Sequence, residues 1–348
     1  MTTMRDVARL ANVSTATVSR ILNGEAGQAS ESTIKRVLAA VDEAGYVPNS
    51  VARDLRRGAA RAITLVLPTL DNPFLVQVAR GAENVANAAG MSVLLGNSDE
   101  DPARERGYLE VAAAGNAAGV LLAATSPDVD VSKLIARGTQ VVAIIRPLAE
   151  RPAVDTVLMD TFSAMRDATA TLIAEGHRRI GCLPGTTTNF SDRARLEGYR
   201  AAHAAAGIPV PEDLIIHTET SVEGGAEGSS ALLDRRGDQP MDAIMAANSL
   251  VAIGLVGTFL SRGIEPAAGP TIVAFDDAPW THALTPYLRV IKQPGYEFGR
   301  VAATALLDRI ADPGRPVLTS YLRASPLSAP QQRGERRTTH PSAPERIR

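Results

Sequence analysis

From residue 62 onward the chain alternates short apolar runs with longer helical stretches, and it does so twice. Ala62-Ile63-Thr64-Leu65-Val66-Leu67-Pro68 reads as a buried strand. A helix follows from about Pro73 to Ala89, Gly90 ends it, and Met91-Ser92-Val93-Leu94-Leu95-Gly96 is the next strand. Gly119-Val120-Leu121-Leu122-Ala123 and Val141-Val142-Ala143-Ile144-Ile145 continue the series. The pattern restarts at Arg179-Ile180-Gly181-Cys182-Leu183-Pro184, with a helix from Arg193 to Ala206 stopped by Gly207. Leu214-Ile215-Ile216, Ala243-Ile244-Met245-Ala246 and Ile272-Val273-Ala274-Phe275 are its further strands. Gly224-Gly225-Ala226-Glu227-Gly228 reads as a loop or cap ahead of a helix. Strands apolar on both faces and separated by helices require a parallel sheet covered on both sides. Two such units give two lobes, and ligands of these sheets sit in the crevice beyond the carboxyl ends of the strands.

The first 45 residues are of another kind. Thr3-Met4-Arg5-Asp6 has capping-box spacing, and Val7, Ala8, Leu10 and Ala11 follow at helical intervals. Asn12-Val13 breaks the run, Ser14 caps a second helix from Thr15 to Leu22, and Asn23-Gly24 closes it. Ser30 caps a third helix from Glu31 to about Ala44, whose Ile34, Val37, Leu38 and Val41 are expected to face the first two. Two short helices joined by a tight turn form a helix-turn-helix, whose second helix enters the DNA major groove. Thr15, Ala16 and Arg20 are the expected base readers: Arg20 suits guanine, and Ala16 and the Thr15 methyl suit thymine methyls. Ser14, Thr17, Ser19 and Asn23 are expected on phosphates. Residues 1–61 hold nine Lys or Arg against six Asp or Glu, while the whole chain carries −2. A basic module on an acidic body fits phosphate binding at one end.

Met4 to Gly24 resembles, almost without a break, the DNA-binding headpiece of the LacI/GalR family of bacterial transcription regulators. The resemblance continues into Tyr46 to Gly58. Pro48 ends the preceding structure there and Asn49 can cap a helix of only two turns, too short to be stable alone. In the family this hinge helix forms when two copies pair over the minor groove. That implies a wedge role for Leu55, close backbone approach at Ala52, phosphate contacts for Arg53, Arg56 and Arg57, and a place for Asn49 at the DNA.

The likeness runs to about residue 326. It is carried by Asp71-Asn72-Pro73-Phe74, Gly96-Asn97-Ser98-Asp99, Glu175 to Gly181, Arg195-Leu196-Glu197-Gly198-Tyr199, Ala246-Ala247-Asn248, Phe275-Asp276-Asp277 and Gln293-Pro294. It implies an α/β fold: an N-terminal three-helix helix-turn-helix headpiece and hinge helix, joined to a two-lobed effector domain like the type I periplasmic binding proteins, with parallel sheets. The implied domains are a headpiece over 1–46, a hinge helix and linker over 47–60, an effector domain over 61–328 and a disordered tail over 329–348. The first lobe takes about 61–159 and 292–317, the second about 160–291 and 318–328, with crossings near Asp160, Lys292 and Val317. Asp160, Arg195, Asn248 and Asp276 match family positions that hydrogen-bond the effector, and Phe74 matches an aromatic that packs on a ring face. Strand-end loops add Asn97 and Arg146. Trp280 either lines the cleft or packs under a loop. Position 249 is Ser where relatives commonly have Asp. Carboxylates, a guanidinium and an amide suit a polyhydroxylated ligand, which favours a sugar over a purine.

Other function classes fit poorly. Asp160, Asp276, Asp277 and His177 suggest no complete acid–base set, and no phosphate loop or nucleophile elbow is present. The remaining histidines lack metal-ligand spacing, so neither cofactor nor metal is expected. Cys182 is the only cysteine, no secretory signal opens the chain, and no run approaches the ~18 apolar residues of a membrane span. A cytoplasmic regulator is expected, with operator DNA and a small-molecule effector, expected to be a sugar, as its partners. The tail lacks an apolar heptad, so a homodimer is expected on a palindromic operator. The sequence reads as a repressor; the alternative is a corepressor-dependent regulator or activator with a non-sugar effector.

Overall fold

The structure, a computed structural model, describes residues 3–22, 29–45, 62–115, 117–149, 153–235, 241–265, 269–284 and 288–329. The chain divides into two compact units, Met1–Ala60 and Arg61–Arg348. In the first, α1 (Met4–Leu10), α2 (Thr15–Leu22) and α3 (Glu31–Glu43) enclose Val7, Ala8, Ala11, Val18, Ile21, Val37 and Ala40. The Asp6 carboxylate accepts from the Thr3 amide at 2.9 Å and the Thr3 hydroxyl at 2.7 Å, which fixes the start of α1. Its end is a Schellman turn: Val13 N–H donates to Ala8 O and Asn12 N–H to Arg9 O. Asn12 takes the left-handed conformation, φ +50°, that Asn tolerates better than most side chains. This is the tight turn that sets α2 against α1. The Ser14 and Ser30 hydroxyls accept from Thr17 and Thr33 amides and cap α2 and α3. Leu38 does not join the core and is 47% exposed. The buried stripe of α3 runs through Ile34, Val37, Ala40, Val41 and Ala44, and Leu38 lies about 100° round the helix from its centre.

In the second unit β1 (Ala62–Leu67), β2 (Ser92–Asn97), β3 (Gly119–Leu122), β4 (Gln140–Ile144), β5 (Asp155–Met159) and β10 (Thr319–Leu322) form a six-stranded sheet of order β10-β5-β4-β3-β1-β2. β6 (Ile180–Leu183), β7 (Ala243–Ala246), β8 (Thr271–Phe275) and β9 (Leu288–Ile291) form a second sheet in chain order. Every pairing in both is parallel. Leu214-Ile215-Ile216 is not a full strand. Glu212–Leu214 winds into a 3-10 turn, and only Ile215 bridges Cys182 on the free side of β6. With that bridge counted, both sheets share one topology: the second segment lies outside the first, and later strands add on the other side. The order therefore reverses beside β1 and beside β6, the switch points where such sheets open a crevice.

Helices cover both sheets: α4 (Pro73–Ala88), α5 (Pro102–Ala114), α6 (Ser132–Ala136), α7 (Thr161–Ala174), α8 (Phe190–Ala206), α9 (Val222–Arg235), α10 (Ser249–Ser261) and α11 (Gly295–Ala311). Three pairs pack backbone to backbone: α4 on α11, α7 on α8, and α9 on α10. Glycine makes the approach possible. A Cβ at Gly299 would strike the Val78 carbonyl, one at Gly198 the Phe162 carbonyl, and one at Gly225 or Gly254 the backbone of the facing helix. The Gly224–Gly228 run is therefore inside α9, not a loop before it; close packing outweighs the poor helix propensity of Gly.

The chain passes between lobes after β5, after β9 and after β10. The third passage lies beyond Leu322, not near Val317, because β10 pairs with β5 and completes the first sheet. Ser325 and Ser328 then bond the backbone of Lys292 and Val290 at the second lobe. Residues 319–322 thus belong to the first lobe. The tail read over 329–348 lies, beyond residue 329, outside the described residues.

Candidate functional site

On α2 the apolar side chains Val18 and Ile21 are buried, while Ser14, Thr15, Ala16 and Arg20 are exposed and Thr17 and Ser19 half-buried. The exposed residues share the outer side of a short, firmly capped helix. That arrangement presents a guanidinium, two hydroxyls and two methyl groups with little conformational freedom left in the backbone. Asn23, Asn49, Ala52, Arg53, Leu55 and Arg56 lie outside the described residues, as does the whole 47–60 segment.

The second candidate site is a narrow cleft, with a cavity of about 80 Å³, between the carboxyl ends of the two sheets. Phe74, Arg146, Arg195, Asn248 and Asp276 line it. Phe74 stands in the first turn of α4, whose cap Asn72 accepts from the Phe74 amide at 2.9 Å. Its ring meets Phe298 edge to face, with centroids 5.9 Å apart, so its orientation is fixed from behind. Asn248 caps α10 through Oδ1, 2.9 Å from the Val251 amide. Ser at position 249 leaves that cap intact.

The charged groups of the second lobe hold one another in place. Arg195 donates to Asp192 Oδ1 at 2.8 Å and lies 4.7 Å above the Phe275 ring. Asp192 also accepts from the Thr186 amide at 3.0 Å. Gly185, at φ +91°, passes so near this carboxylate that a Cβ would collide with it. Asp276 follows β8 in the left-handed region, φ +78°, and its Oδ1 accepts from Gln293 in the second crossing. A non-glycine residue held there stores strain of ~1–3 kcal/mol, a pattern found at ligand sites. Burial pushes the carboxyls of Asp276 and Asp192 above their ordinary range, with the positive Arg195 working against the rise.

On the first lobe, Arg146 follows β4 and donates to Glu100 Oε2 at 2.8 Å and to Ala124 O at 3.1 Å. Burial disfavours its charge, but Glu100 outweighs that and raises its affinity for the proton. Several buried polar atoms keep no hydrogen-bond partner among the described residues: Asp276 Oδ2, Arg195 Nε, Arg146 Nε, Thr161 Oγ1 and Ser249 Oγ. Desolvated groups of this kind are costly unless something else satisfies them.

Asn97, Asp160 and Trp280 are not on the cleft wall. Asp160 turns its carboxylate to its own helix, capping α7 through the Ser163 amide at 3.0 Å. Trp280 packs on the apolar cluster of the second lobe. Asn97 ends β2 half-buried. The sequence reading left out Asn72, Glu100, Asp192 and Gln293, which do line the cleft. Asp192 was detectable, since it stands three residues before Arg195 on one helix face. Gln293 lies in a string already noted. Nothing in the sequence signals the backbone turn that aims Glu100. Among the described residues no group of His, Cys, Asp or Glu is placed to hold a metal, and no helix is long and apolar enough to cross a membrane.

Residues 60–320 match the periplasmic binding proteins and sugar binding domain of the LacI family, and residues 3–49 match the bacterial regulatory proteins of the lacI family. The chain belongs to the LacI family. The HTH-type transcriptional repressor PurR of Photobacterium profundum is 32% identical to this LacI-family chain over 313 residues, 90% of this chain and 93% of that one. The ribose operon repressor of Escherichia coli (strain K12) is 31% identical over 316 residues, 90% of this chain and 94% of the other. The transcriptional regulator CelR, solved as a cellobiose complex, superposes with a TM-score of 0.70 at 28% identity, covering 94% of this chain and 98% of that one. The Lac repressor dimer bound to operator and an anti-inducer shares the fold, with a TM-score of 0.77 at 23% identity over 94% and 97% of the two chains. As a LacI-family member the protein is a DNA-binding transcriptional regulator and not an enzyme.

Proposed function

We propose that the protein is a repressor that binds a palindromic operator as a homodimer and responds to a sugar or sugar derivative held in the interlobe cleft. The observation that carries the effector reading is the set of buried, unpartnered donors and acceptors on the cleft wall, above all Asp276 Oδ2 and Arg195 Nε. A carboxylate takes hydroxyl donors and a guanidinium N–H gives to hydroxyl oxygens, so vicinal hydroxyls satisfy both. Phe74 offers a ring face beside them. The relatives' names, which include a ribose operon repressor and a regulator solved with cellobiose, support the same ligand class.

Thr15, Ala16 and Arg20 read bases, while Ser14, Thr17, Ser19 and Asn23 hold phosphates. In the 47–60 segment Leu55 wedges into the minor groove, with Asn49, Ala52, Arg53 and Arg56 at the backbone. Two headpieces on a palindrome require a two-fold dimer. The edge strand β2, with Leu94 and Leu95 half-exposed, and the neighbouring exposed Val111 of α5 support one through the effector domain. The effector changes DNA affinity only through its differential affinity for the two states of that dimer.

Operator affinity measured by fluorescence anisotropy, with and without each of a panel of sugars, tests the reading. One sugar is expected to shift the affinity of the native protein, and Asp276→Ala is expected to bind DNA equally well but ignore that sugar. A full response from Asp276→Ala would remove the cleft from the account.

A further inference from the structure

The charges of the cleft alternate in sign across it. Glu100 pairs with Arg146 on the first lobe, and Asp192 pairs with Arg195 on the second, each at 2.8 Å. Asp276 lies within electrostatic reach of Arg195, and Arg146 within reach of Asp192. All five side chains line the same cavity, and among its described lining residues Arg146 and Arg195 are the two cations. Each cation already has a carboxylate. The third carboxylate, Asp276, has none of its own.

Glu100 is placed for this by a built turn. Asp99 and Glu100 both adopt left-handed backbone, φ +55° and +54°. The turn is pinned by Glu100 N–H donating to Pro68 O at 3.1 Å, by Arg104 on Asp99 at 2.8 Å, and by Asp101 capping α5. Two consecutive strained residues in a held loop bring one half-exposed carboxylate onto a half-buried arginine. The pair leaves Arg146 Nε–H without a partner, a donor suited to a neutral hydroxyl. It leaves no unmatched positive charge for a phosphate or carboxylate, which must shed its water to enter.

We infer that Glu100 sets the charge class of the effector: by occupying Arg146 it confines the cleft to uncharged polyhydroxy ligands and rejects their phosphorylated forms. This rests on the sugar reading given above. Freed of Glu100, Arg146 becomes an anion-binding group, and each charge-assisted hydrogen bond to phosphate is worth roughly a tenfold to hundredfold gain in affinity.

The test is calorimetric titration of the full chain with matched pairs: ribose and ribose 5-phosphate, glucose and glucose 6-phosphate, galactose and galactose 1-phosphate. The native protein is expected to bind one parent sugar and to discriminate against its phosphate. Glu100→Gln is expected to shrink that discrimination roughly tenfold or more by strengthening the phosphate, and Glu100→Gln with Arg146→Met to restore it. Thermal melting checks that the variants fold; the discrimination of the native protein needs no variant. Equal binding of sugar and phosphate by the native protein, or an unchanged ratio in folded Glu100→Gln, overturns the inference while leaving the sugar reading standing. Binding of no pair by either protein, with operator binding intact, rejects the sugar reading and the inference together.

Discussion

Arg309→Met removes one half of a buried ion pair that ties α11 and β5 to the segment leading into β10. Arg309 on α11 donates through Nε and Nη2 to both oxygens of Asp155, each at 2.9 Å, and also to the carbonyls of Pro313, Arg315 and Pro316. Asp155 opens β5 and accepts a further bond from the Leu318 amide at 2.8 Å, just ahead of β10. Both side chains are buried. In the variant the carboxylate keeps one backbone donor and loses its bonded counter-charge, with only the unbonded Arg315 still acting on it. Breaking a buried pair from one side costs about 3–5 kcal/mol, against under ~1 kcal/mol for an exposed pair. For a unit of this size about 2–4 °C are lost per kcal/mol, so the melting temperature is expected to fall by roughly 6–20 °C. Asp155→Leu combined with Arg309→Met replaces the pair with apolar volume and is expected to recover most of the loss, because the desolvation cost goes with the charges. Burial pushes the Asp155 carboxyl up, but the bonds from Arg309 and Leu318 win and hold it below its ordinary range. Its contribution is therefore present above the unfolded carboxyl pKa and lost as pH falls through the lowered folded value. The gap between native and variant should close in acid. Urea and thermal unfolding of the single and double variants across pH measure all of this. A cost under ~1 kcal/mol for Arg309→Met, or a double variant as unstable as the sum of its singles, would refute the reasoning.

Two glycines on helices should respond in opposite directions. Gly299→Ala drives a methyl into the Val78 carbonyl and should destabilise by about 1–3 kcal/mol, whereas Gly107→Ala on α5 meets open space and should stabilise by about 0.5–1 kcal/mol; paired thermal melts decide, and equal signs would contradict the packing argument. The proposed sugar site uses the ionised Asp276, so affinity for the effector should fall as pH drops through its raised pKa, and Asp276→Asn should flatten the profile. Folding stability runs the other way: the contribution of Asp276 is full below the unfolded carboxyl pKa and lost as pH rises through the raised folded value, which acid and neutral melts of Asp276→Asn and native protein can compare.

The sequence makes local features plain and long-range ones obscure. Caps at Ser14 and Ser30 and the turn at Asn12 are written in three or four adjacent residues, and the structure forms each of them. The strands with wholly apolar strings were visible for the same reason. β5 and β9 were not, because Asp155 and Arg289 interrupt the apolar pattern and their charges are answered by partners far along the chain; β10 was not, because Thr319, Ser320 and Tyr321 are exposed. The glycines of α9 look like a loop until the backbone of α10 is laid against them. At the cleft, Asp160 has the residue type of a ligand group, yet its position before α7 makes it a cap. Glu100 has no pattern at all; only the left-handed turn brings it to Arg146.

The most direct test of the account is selection of bound sequences from a randomised duplex pool at physiological salt, with native protein and Arg20→Ala side by side. The expected result is enrichment of a palindrome with a flexible central step by the native protein, lost in Arg20→Ala. Binding that is sequence-blind, salt-sensitive and unchanged by Arg20→Ala would contradict the claim that α2 reads an operator.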